Sequence, residues 1–435
     1  MHRVPLPRAP FDEITPALTA DQAAQESARC LYCYDAPCIS ACPTHIDIPT
    51  FIKKIGTGNL VGSARTIFEA NILGGSCARV CPVEVLCEGA CVEKTLVKRP
   101  IPIGRLQRFA TDYALSRGLD LLSAGAATGR SVGIIGAGPA GLGAAAELRR
   151  AGHGVVIYDE RRWGGGLNTY GMAEYKQTAA LAIAEVEMVA RLGAEIRQGV
   201  TIGKDLTIDQ LLQAHDALFV GIGLGATNRL GVPGEELPHV KDALSWIEAL
   251  KTDPDRAPSL AGKRAVVIGG GNTAIDAVTQ ARRLGAEATL VYRRGEAQLS
   301  AYRYEVELAR GMGCTLLFNR PPVRVEARGL VVQEPGQREE LLPAELVLAA
   351  VGQGKRVAFL RELPGVRLDD RGRLRVDPET FRTDHPRIWA GGDCVNGGKE
   401  AVNAVAEGKA AAQSMARELG ERPQGPALEH QSRRA

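Results

Sequence analysis

The sequence predicts an α/β protein. A helical, cysteine-rich N-terminal domain precedes two parallel-sheet domains, one of them inserted within the other. Three observations predict this. Eight of the ten cysteines fall between Cys30 and Cys91. Two strand–glycine loop–helix–strand segments follow, with glycine loops that begin at Gly136 and Gly269. Between these regions the composition changes near Ser123, where "LLSAGAATGR" (Leu121 to Arg130) reads as a linker of small residues.

The bulk numbers set limits. A chain of 435 residues can bury a large core and hold two to four domains. The 53 basic and 50 acidic residues leave a formal charge of +3, too even for a nucleic-acid or membrane-surface binder. The start, "MHRVPLPRAPFDEITPAL", has prolines and charges where a signal peptide needs an apolar core. The longest apolar run, Val132 to Ala146, is glycine-rich and reads as strand, turn and helix rather than a membrane span. A cytoplasmic protein without a membrane or nucleic-acid partner is expected. In a large chain of that kind, clustered cysteines point to metal rather than to disulfides.

The cysteine spacings are Cys30-x2-Cys33-x4-Cys38-x3-Cys42-Pro43 and Cys77-x3-Cys81-Pro82-x4-Cys87-x3-Cys91. Zinc usually draws on two separated C-x2-C pairs. A quartet that closes on Cys-Pro suits 4Fe-4S ligation, and in two-cluster ferredoxins the fourth cysteine of such a run serves the other cluster. That rule assigns Cys30, Cys33, Cys38 and Cys91 to one cluster, and Cys42, Cys81 and Cys87 to a second. Simple counting completes the second with Cys77. The predicted helices Leu60 to Ala70 and Ile103 to Leu115 carry this domain.

The first glycine loop, "GAGPAG" (Gly136 to Gly141), follows an apolar strand from Ser131 to Ile135. In the pattern G-x-G-x-x-G, Gly136 permits the tight turn, Gly138 lets backbone approach a pyrophosphate, and Gly141 brings helix and strand together. Pro139 and Ala140 open the helix, whose unpaired amides face the phosphates. Asp159 ends the strand "VVIYD", where a carboxylate can hold a ribose hydroxyl, and Glu160 is the neighbouring candidate. "WGGGLNTYG" (Trp163 to Gly171), with Gly166 and Leu167, suits backbone wrapped around a flavin. Far downstream, "IWAGGDCVN" (Ile388 to Asn396) offers Gly392 and Asp393 before an alanine-rich helix from about Ala401. Together these pieces predict a Rossmann-like FAD domain.

The second loop, Gly269, Gly271 and Ala274, fits G-x-G-x-x-A, with Asn272 and Thr273 placed to cap the helix and touch phosphate. After the strand "ATLVY" stand Arg293 and Arg294 where an acid would favour NAD. Arginine there can take the 2′-phosphate of NADP, so NAD(H) or NADP(H) is expected with a lean to the latter. A solvated strand end accounts for the same pair. "VGIGLG" (Val220 to Gly225) leaves the flavin domain and "AAVGQ" (Ala349 to Gln353) returns to it. The expected domains are 1–125 (iron–sulfur), 126–235 and 352–420 (FAD), 236–351 (NAD(P)H), and a disordered tail 421–435.

From 130 to 419 the pattern resembles the two-dinucleotide-domain flavin disulfide reductase-like superfamily. It lacks a redox Cys-x-x-Cys or Cys-x4-Cys pair, since Cys314 and Cys394 are isolated. Flavin electrons must leave by another route.

"RCLYCYDAPCISACPTHIDIPTFI" (Arg29 to Ile52), "CARVCPVEVLCEGAC" (Cys77 to Cys91) and "PIPIGRLQRFA" (Pro100 to Ala110) resemble the N-terminal domain of dihydropyrimidine dehydrogenase. They are most similar to the small flavin subunit of the bacterial NAD-dependent enzyme. The resemblance implies a glutamine amide, here Gln107, as the eighth cluster ligand, with Cys77 a non-ligand. It also implies a separate FMN and iron–sulfur partner subunit that reduces uracil or thymine. Small subunits of glutamate synthase share the plan but tend to show Glu at the position of Gln107; they remain the alternative. The seven histidines are scattered and form no hydrolase constellation, so no catalytic side chain is expected. His45 and Asp47 read as structural.

Overall fold

The structure, a computed structural model, describes residues 10–421 apart from 335 and 337. The expected tail therefore lies, from 422 onward, outside the described residues.

Up to residue 130 the described elements are all helices: Ala20–Ala28, Pro37–Ser40, Ile48–Gly56, Leu60–Ala70, Gly74–Val80, Val92–Leu96 and Ile103–Leu115. Local chemistry sets where they start. Thr19 and Gln22 form a reciprocal capping box at the first helix. Asp47 accepts the Thr50 N–H at 3.1 Å and starts Ile48–Gly56, which gives Asp47 its structural role. Asn59 accepts the Gly62 N–H at 2.9 Å and starts Leu60–Ala70. Helical spacing then buries Ile48, Phe51, Ile52 and Ile55 against Ile67, Leu106 and Ala110. Each large side chain in that core contributes about 1.5–3 kcal/mol.

The first sheet is parallel throughout. Its strands are β1 (Ser131–Ile135), β2 (Gly154–Asp159), β3 (Glu195–Gln198), β4 (Ala217–Val220) and β13 (Ile388–Ala390), in the order β13-β4-β1-β2-β3. A second parallel sheet joins β5 (Val240–Asp242), β6 (Arg264–Ile268), β7 (Glu287–Tyr292), β8 (Thr315–Phe318) and β12 (Leu346–Ala349), in the order β5-β12-β6-β7-β8. Between β8 and β12 the chain adds an antiparallel meander, β9 (Pro322–Glu326), β10 (Gly329–Gln333) and β11 (Glu339–Pro343), which the sequence reading did not include.

Register aligns the functional loops. Ile135 pairs with Tyr158 and with Val220, and Val220 with Ala390. The Gly136 loop, Asp159, Gly221 and Gly391 thus leave one edge of the sheet at the same level, the carboxyl edge where ligands bind open parallel sheets. In the second sheet Ile268 pairs with Val291 and Ala349, which brings Gly269, Tyr292 and Ala350 to an equivalent edge.

The helix Pro139–Arg150 lies against the long helix Ala401–Glu421 with almost no spacing. A Cβ at Gly408 would meet the Ala140 carbonyl at 2.0 Å, and one at Gly143 the Val405 carbonyl at 2.9 Å. This backbone contact draws the Asp393 end of the chain onto the first glycine loop. Among the described residues no helix is long and apolar enough to cross a membrane.

Candidate functional site

A cavity of about 470 Å³ opens at the carboxyl edge of the first sheet. Of the residues expected to hold a flavin, Gly136, Gly138, Pro139, Ala140, Asp159, Gly166, Leu167, Gly392 and Asp393 all line it. Gly141 does not. A Cβ there would meet the Gly136 carbonyl at 2.0 Å, so it serves the close helix–strand packing expected of the third glycine.

Glycine is required at the cavity floor. Gly136 sits at φ 101°, and a Cβ would meet the Gly221 carbonyl at 2.6 Å. Gly166 sits at φ 57°, and a Cβ would press on the Gly138 Cα at 2.9 Å. The two glycine loops therefore form a cradle that side chains would fill, which fits an extended dinucleotide. Asp159 organises it. Its carboxylate accepts the Ala137 N–H at 2.7 Å and the Arg161 N–H at 2.8 Å, while burial raises its pKa against those bonds. A carboxylate has further lone pairs for a ribose hydroxyl. Glu160 also lines the cavity but is paired with Arg356 at 2.8 Å. Asp393 accepts the Lys399 N–H at 3.3 Å, and burial raises its pKa as well.

Part of the wall was not anticipated. Arg161 stacks over Tyr170 at 4.1 Å and pairs with Glu248 at 2.5 Å. Asp242, the last residue of β5, and Ser245, in the helix that follows it, reach the same cavity. No local motif marks these residues; only the fold gathers them. Two connecting segments cross the rim side by side, with Gly225 N–H to Gly354 O and Gly354 N–H to Ala226 O both at 2.8 Å. Neither isolated cysteine is a redox group. Cys394 is buried, its thiol directed to the Val220 and Gly391 carbonyls and its pKa pushed up to about 12. Cys314 is likewise buried, also pushed up to about 12.

At the second glycine loop a Cβ on Gly269 would meet the Ala350 carbonyl at 2.3 Å. Gly271 is the N-cap of the helix Asn272–Arg283, and no side chain caps it. The expected capping by Asn272 is thus corrected: its Oδ1 accepts the Tyr302 N–H at 3.1 Å instead. Thr273 stands beside it in the first turn, where it caps nothing. Arg293 and Arg294 follow β7, exposed and in no ion pair among the described residues.

The cysteines fall into two groups. Burial, then the neighbouring Cys30 and Cys91 sulfurs, push Cys38 up to about 12, and Cys33 faces Cys30. These four line one small pocket with Ile48, Ile52 and Ile103. In the second group Cys81 is hydrogen-bonded to Cys77 and faces Cys87 and Cys42, and its pKa is raised by that contact and by burial. The crossing of Cys42 and Cys91 between groups is the pattern the spacing rule gives. Bound iron would supply the positive charge that turns such partly buried thiols into thiolates. Eight cysteine thiols gathered in two neighbouring groups are the soft sulfur donors that iron–sulfur clusters take, so the chemistry of the donor set fits such clusters. Gln107 is buried on Ile103–Leu115. Its Nε2 donates to the Gly74 carbonyl at 2.7 Å, and its Oε1 accepts no hydrogen bond among the described residues.

This fold and these sites define a class: a two-dinucleotide flavin oxidoreductase with an iron–sulfur domain in front. Comparison with known families agrees. Residues 8–119 match the family described as dihydropyrimidine dehydrogenase domain II, 4Fe-4S cluster, and residues 130–408 match pyridine nucleotide-disulphide oxidoreductase. The chain belongs to the latter family, in the branch that carries this iron–sulfur domain. It is 36% identical to the glutamate synthase [NADPH] small chain of Halomonas elongata, over 93% of this chain and 92% of that one. It is also 36% identical to the NAD-dependent dihydropyrimidine dehydrogenase subunit PreT of Escherichia coli O157:H7, over 93% of this chain and 96% of that one. Thioredoxin reductase of T. acidophilum superposes with a TM-score of 0.55 at 25% identity, over 66% of this chain and 99% of that structure. The chain is accordingly an NAD(P)H oxidoreductase with FAD and 4Fe-4S iron–sulfur, an electron-transfer subunit.

Proposed function

We propose that this chain is the electron-input subunit of a dihydropyrimidine dehydrogenase. It takes hydride from NAD(P)H at FAD and passes single electrons through two 4Fe-4S clusters to a separate FMN and iron–sulfur subunit that reduces uracil or thymine. Flavin chemistry supplies the conversion of one two-electron delivery into two single-electron ones.

The observation that carries the reading is the donor set. Two groups of partly buried sulfur donors, with Cys42 and Cys77 the fully covered ones, accompany a flavin cavity beside which the one cysteine, Cys394, is a buried thiol. On this reading Gly136, Gly138, Pro139, Ala140, Gly141, Asp159, Gly166, Leu167, Gly392 and Asp393 hold FAD, while Gly269, Gly271, Asn272, Thr273, Arg293 and Arg294 hold the nicotinamide nucleotide. Cys30, Cys33, Cys38 and Cys91 hold one cluster. Cys42, Cys81, Cys87 and Gln107 hold the other; Gln107 is a buried residue whose Nε2 is fixed on the Gly74 carbonyl of the helix that carries Cys77. The division into 1–125, 126–235, 236–351 and 352–420 belongs to the same proposal, with the two parallel sheets as its support.

The experiment combines the purified chain with an FMN and iron–sulfur candidate partner and follows uracil absorbance. NADH- or NADPH-dependent loss of uracil is expected. Glutamine-dependent glutamate formation with a glutamine-using partner, and no uracil turnover, overturns the reading in favour of a glutamate synthase small subunit.

A further inference from the structure

The helix Ala243–Thr252 belongs by chain order to the nucleotide half, since it follows β5 of the second sheet. It is nonetheless a wall of the flavin cavity, which Leu244, Ser245 and Glu248 line together with Asp242 before them. Asp242 fixes the start of the helix by accepting the Leu244 N–H at 3.3 Å and the Ser245 N–H at 2.8 Å. Leu244 and Glu248 lie one turn apart on one face, and Lys251, three residues further on, falls on the same face.

Two charged side chains fasten that face to the flavin half. Glu248 pairs with Arg161 at 2.5 Å, and Arg161 is itself held by its N–H on Asp159 at 2.8 Å. One turn on, Lys251 is fully buried. Its Nζ donates to the Met172 carbonyl at 2.9 Å and to the Gln177 carbonyl. Met172 is a cavity residue too, at the end of the stretch that runs from Gly166 through Tyr170. Burial pulls Lys251 down to about 8, while Glu174, 3.9 Å away, and then Asp276 favour its charged form. A buried ammonium that lost these carbonyls would have no water to replace them, so the bonds hold helix and loop at one spacing. Other ties join the halves elsewhere. Lys176 bonds Glu305 at 2.6 Å and pairs with Asp276, and the Tyr302 hydroxyl donates to Glu400 of the cavity wall. Loss of Lys251 alone therefore loosens one wall and leaves the halves attached.

We propose that Lys251 is a positioning residue of the flavin site: through the Met172 and Gln177 carbonyls it sets the spacing between a helix of the nucleotide half and the loop that cradles FAD, so that both halves hold FAD at once. FAD binding and docking of the helix Ala243–Thr252 are then linked, since a ligand that binds the docked arrangement favours it. The inference goes beyond the electron-input reading and holds whichever subunit takes the electrons.

The test uses the full-length chain with its clusters, freed of FAD and titrated with FAD, with the quenching of flavin fluorescence giving Kd. Lys251→Met keeps the length of the side chain and removes the donor. It is expected to weaken FAD binding about tenfold or more, the weight of a hydrogen bond to a charged group, while iron per chain stays at the wild-type value. Glu248→Gln changes a half-exposed rim residue and leaves the core alone. It is expected to weaken FAD binding about two- to fivefold at low salt, the weight of an exposed ion pair. A third readout needs no variant: FAD should slow hydrogen exchange of residues 172–177 and 243–252 together in the wild-type chain. An FAD Kd within twofold of wild type in Lys251→Met overturns the proposal, as does wild-type exchange in 243–252 that ignores FAD. Loss of iron along with FAD in Lys251→Met would mark general unfolding, and an unchanged Kd in Glu248→Gln would show that the helix does not hold FAD; each overturns it as well.

Discussion

Glu185 accepts the Ser76 N–H at 3.0 Å and also the Ser76 hydroxyl. Glu185 lies on the helix Ala179–Arg191 beside the first sheet, and Ser76 lies in the helix that carries Cys77 and leads to Cys81. Gly75 N–H adds a bond at 2.8 Å, and Gln177 Nε2 donates to the Ser76 hydroxyl at 2.6 Å. A fully buried carboxylate is thus the joint between the sulfur-bearing helix and the flavin-side sheet.

Burial pushes Glu185 up to about 7, against the bonds from Ser76 and Gly75 that lower it. A raised carboxyl pKa means the folded chain binds this proton more tightly than the unfolded one. The stability is therefore full below the unfolded value and lost as pH rises through about 7, by up to about 3 kcal/mol. Glu185→Gln should flatten the fall in thermal midpoint between pH 5 and pH 8. Glu88, also pushed up to about 7 by burial, leaves a residual slope. An identical slope in the variant would contradict the assignment.

At the cavity floor, Gly166→Ala forces a side chain into positive φ and onto Gly138. The strain is on the order of 1–3 kcal/mol. The purified variant should fold but keep little flavin, read as the ratio of flavin to protein absorbance. A full complement of flavin would show that the two loops do not form the cradle.

Gln107→Ala and Cys77→Ser separate the two ways of completing the second cluster. The first should lower iron from about eight to about four per chain, while the second leaves it near eight. Iron counting and EPR on anaerobic protein decide it, and loss in Cys77→Ser alone reverses the assignment.

Lys176→Met leaves the buried Asp276 and Glu305 carboxylates facing each other without a cation. Breaking a buried charge group of this kind costs about 3–5 kcal/mol. Thermal denaturation should show a large drop in midpoint, and a shift of only a degree or two would contradict the account.

Arg293→Ala with Arg294→Ala should raise the KM for NADPH about tenfold or more, the loss of charge-assisted phosphate contacts, with NADH little changed. Equal effects on both nucleotides would mean that the pair is a solvated strand end.

The parts of the fold that repeat locally were legible in the sequence. β1, the Gly136 loop and its helix follow from an apolar run, three spaced glycines and an alanine-rich segment. The grouping of Cys91 with Cys30 followed from the ferredoxin crossing rule alone. The meander β9–β11 carried a signal that was passed over: "VRVEARGLVV" alternates apolar and charged residues around a turn. Other features had none. Asn272 looks like a cap, yet a segment thirty residues on takes its side chain. Arg161, Glu248, Tyr302 and Glu400 meet only through tertiary packing, and no spacing announces such partners.

The central claim is that one chain carries a nicotinamide-reducible flavin and iron–sulfur clusters in electronic contact. Anaerobic addition of NADH or NADPH to the purified chain, without any partner, tests it most directly. The account predicts bleaching of the flavin band followed by the EPR signal of reduced 4Fe-4S clusters. A colourless chain with bound zinc, or a flavin that bleaches while the clusters stay oxidised, would contradict it.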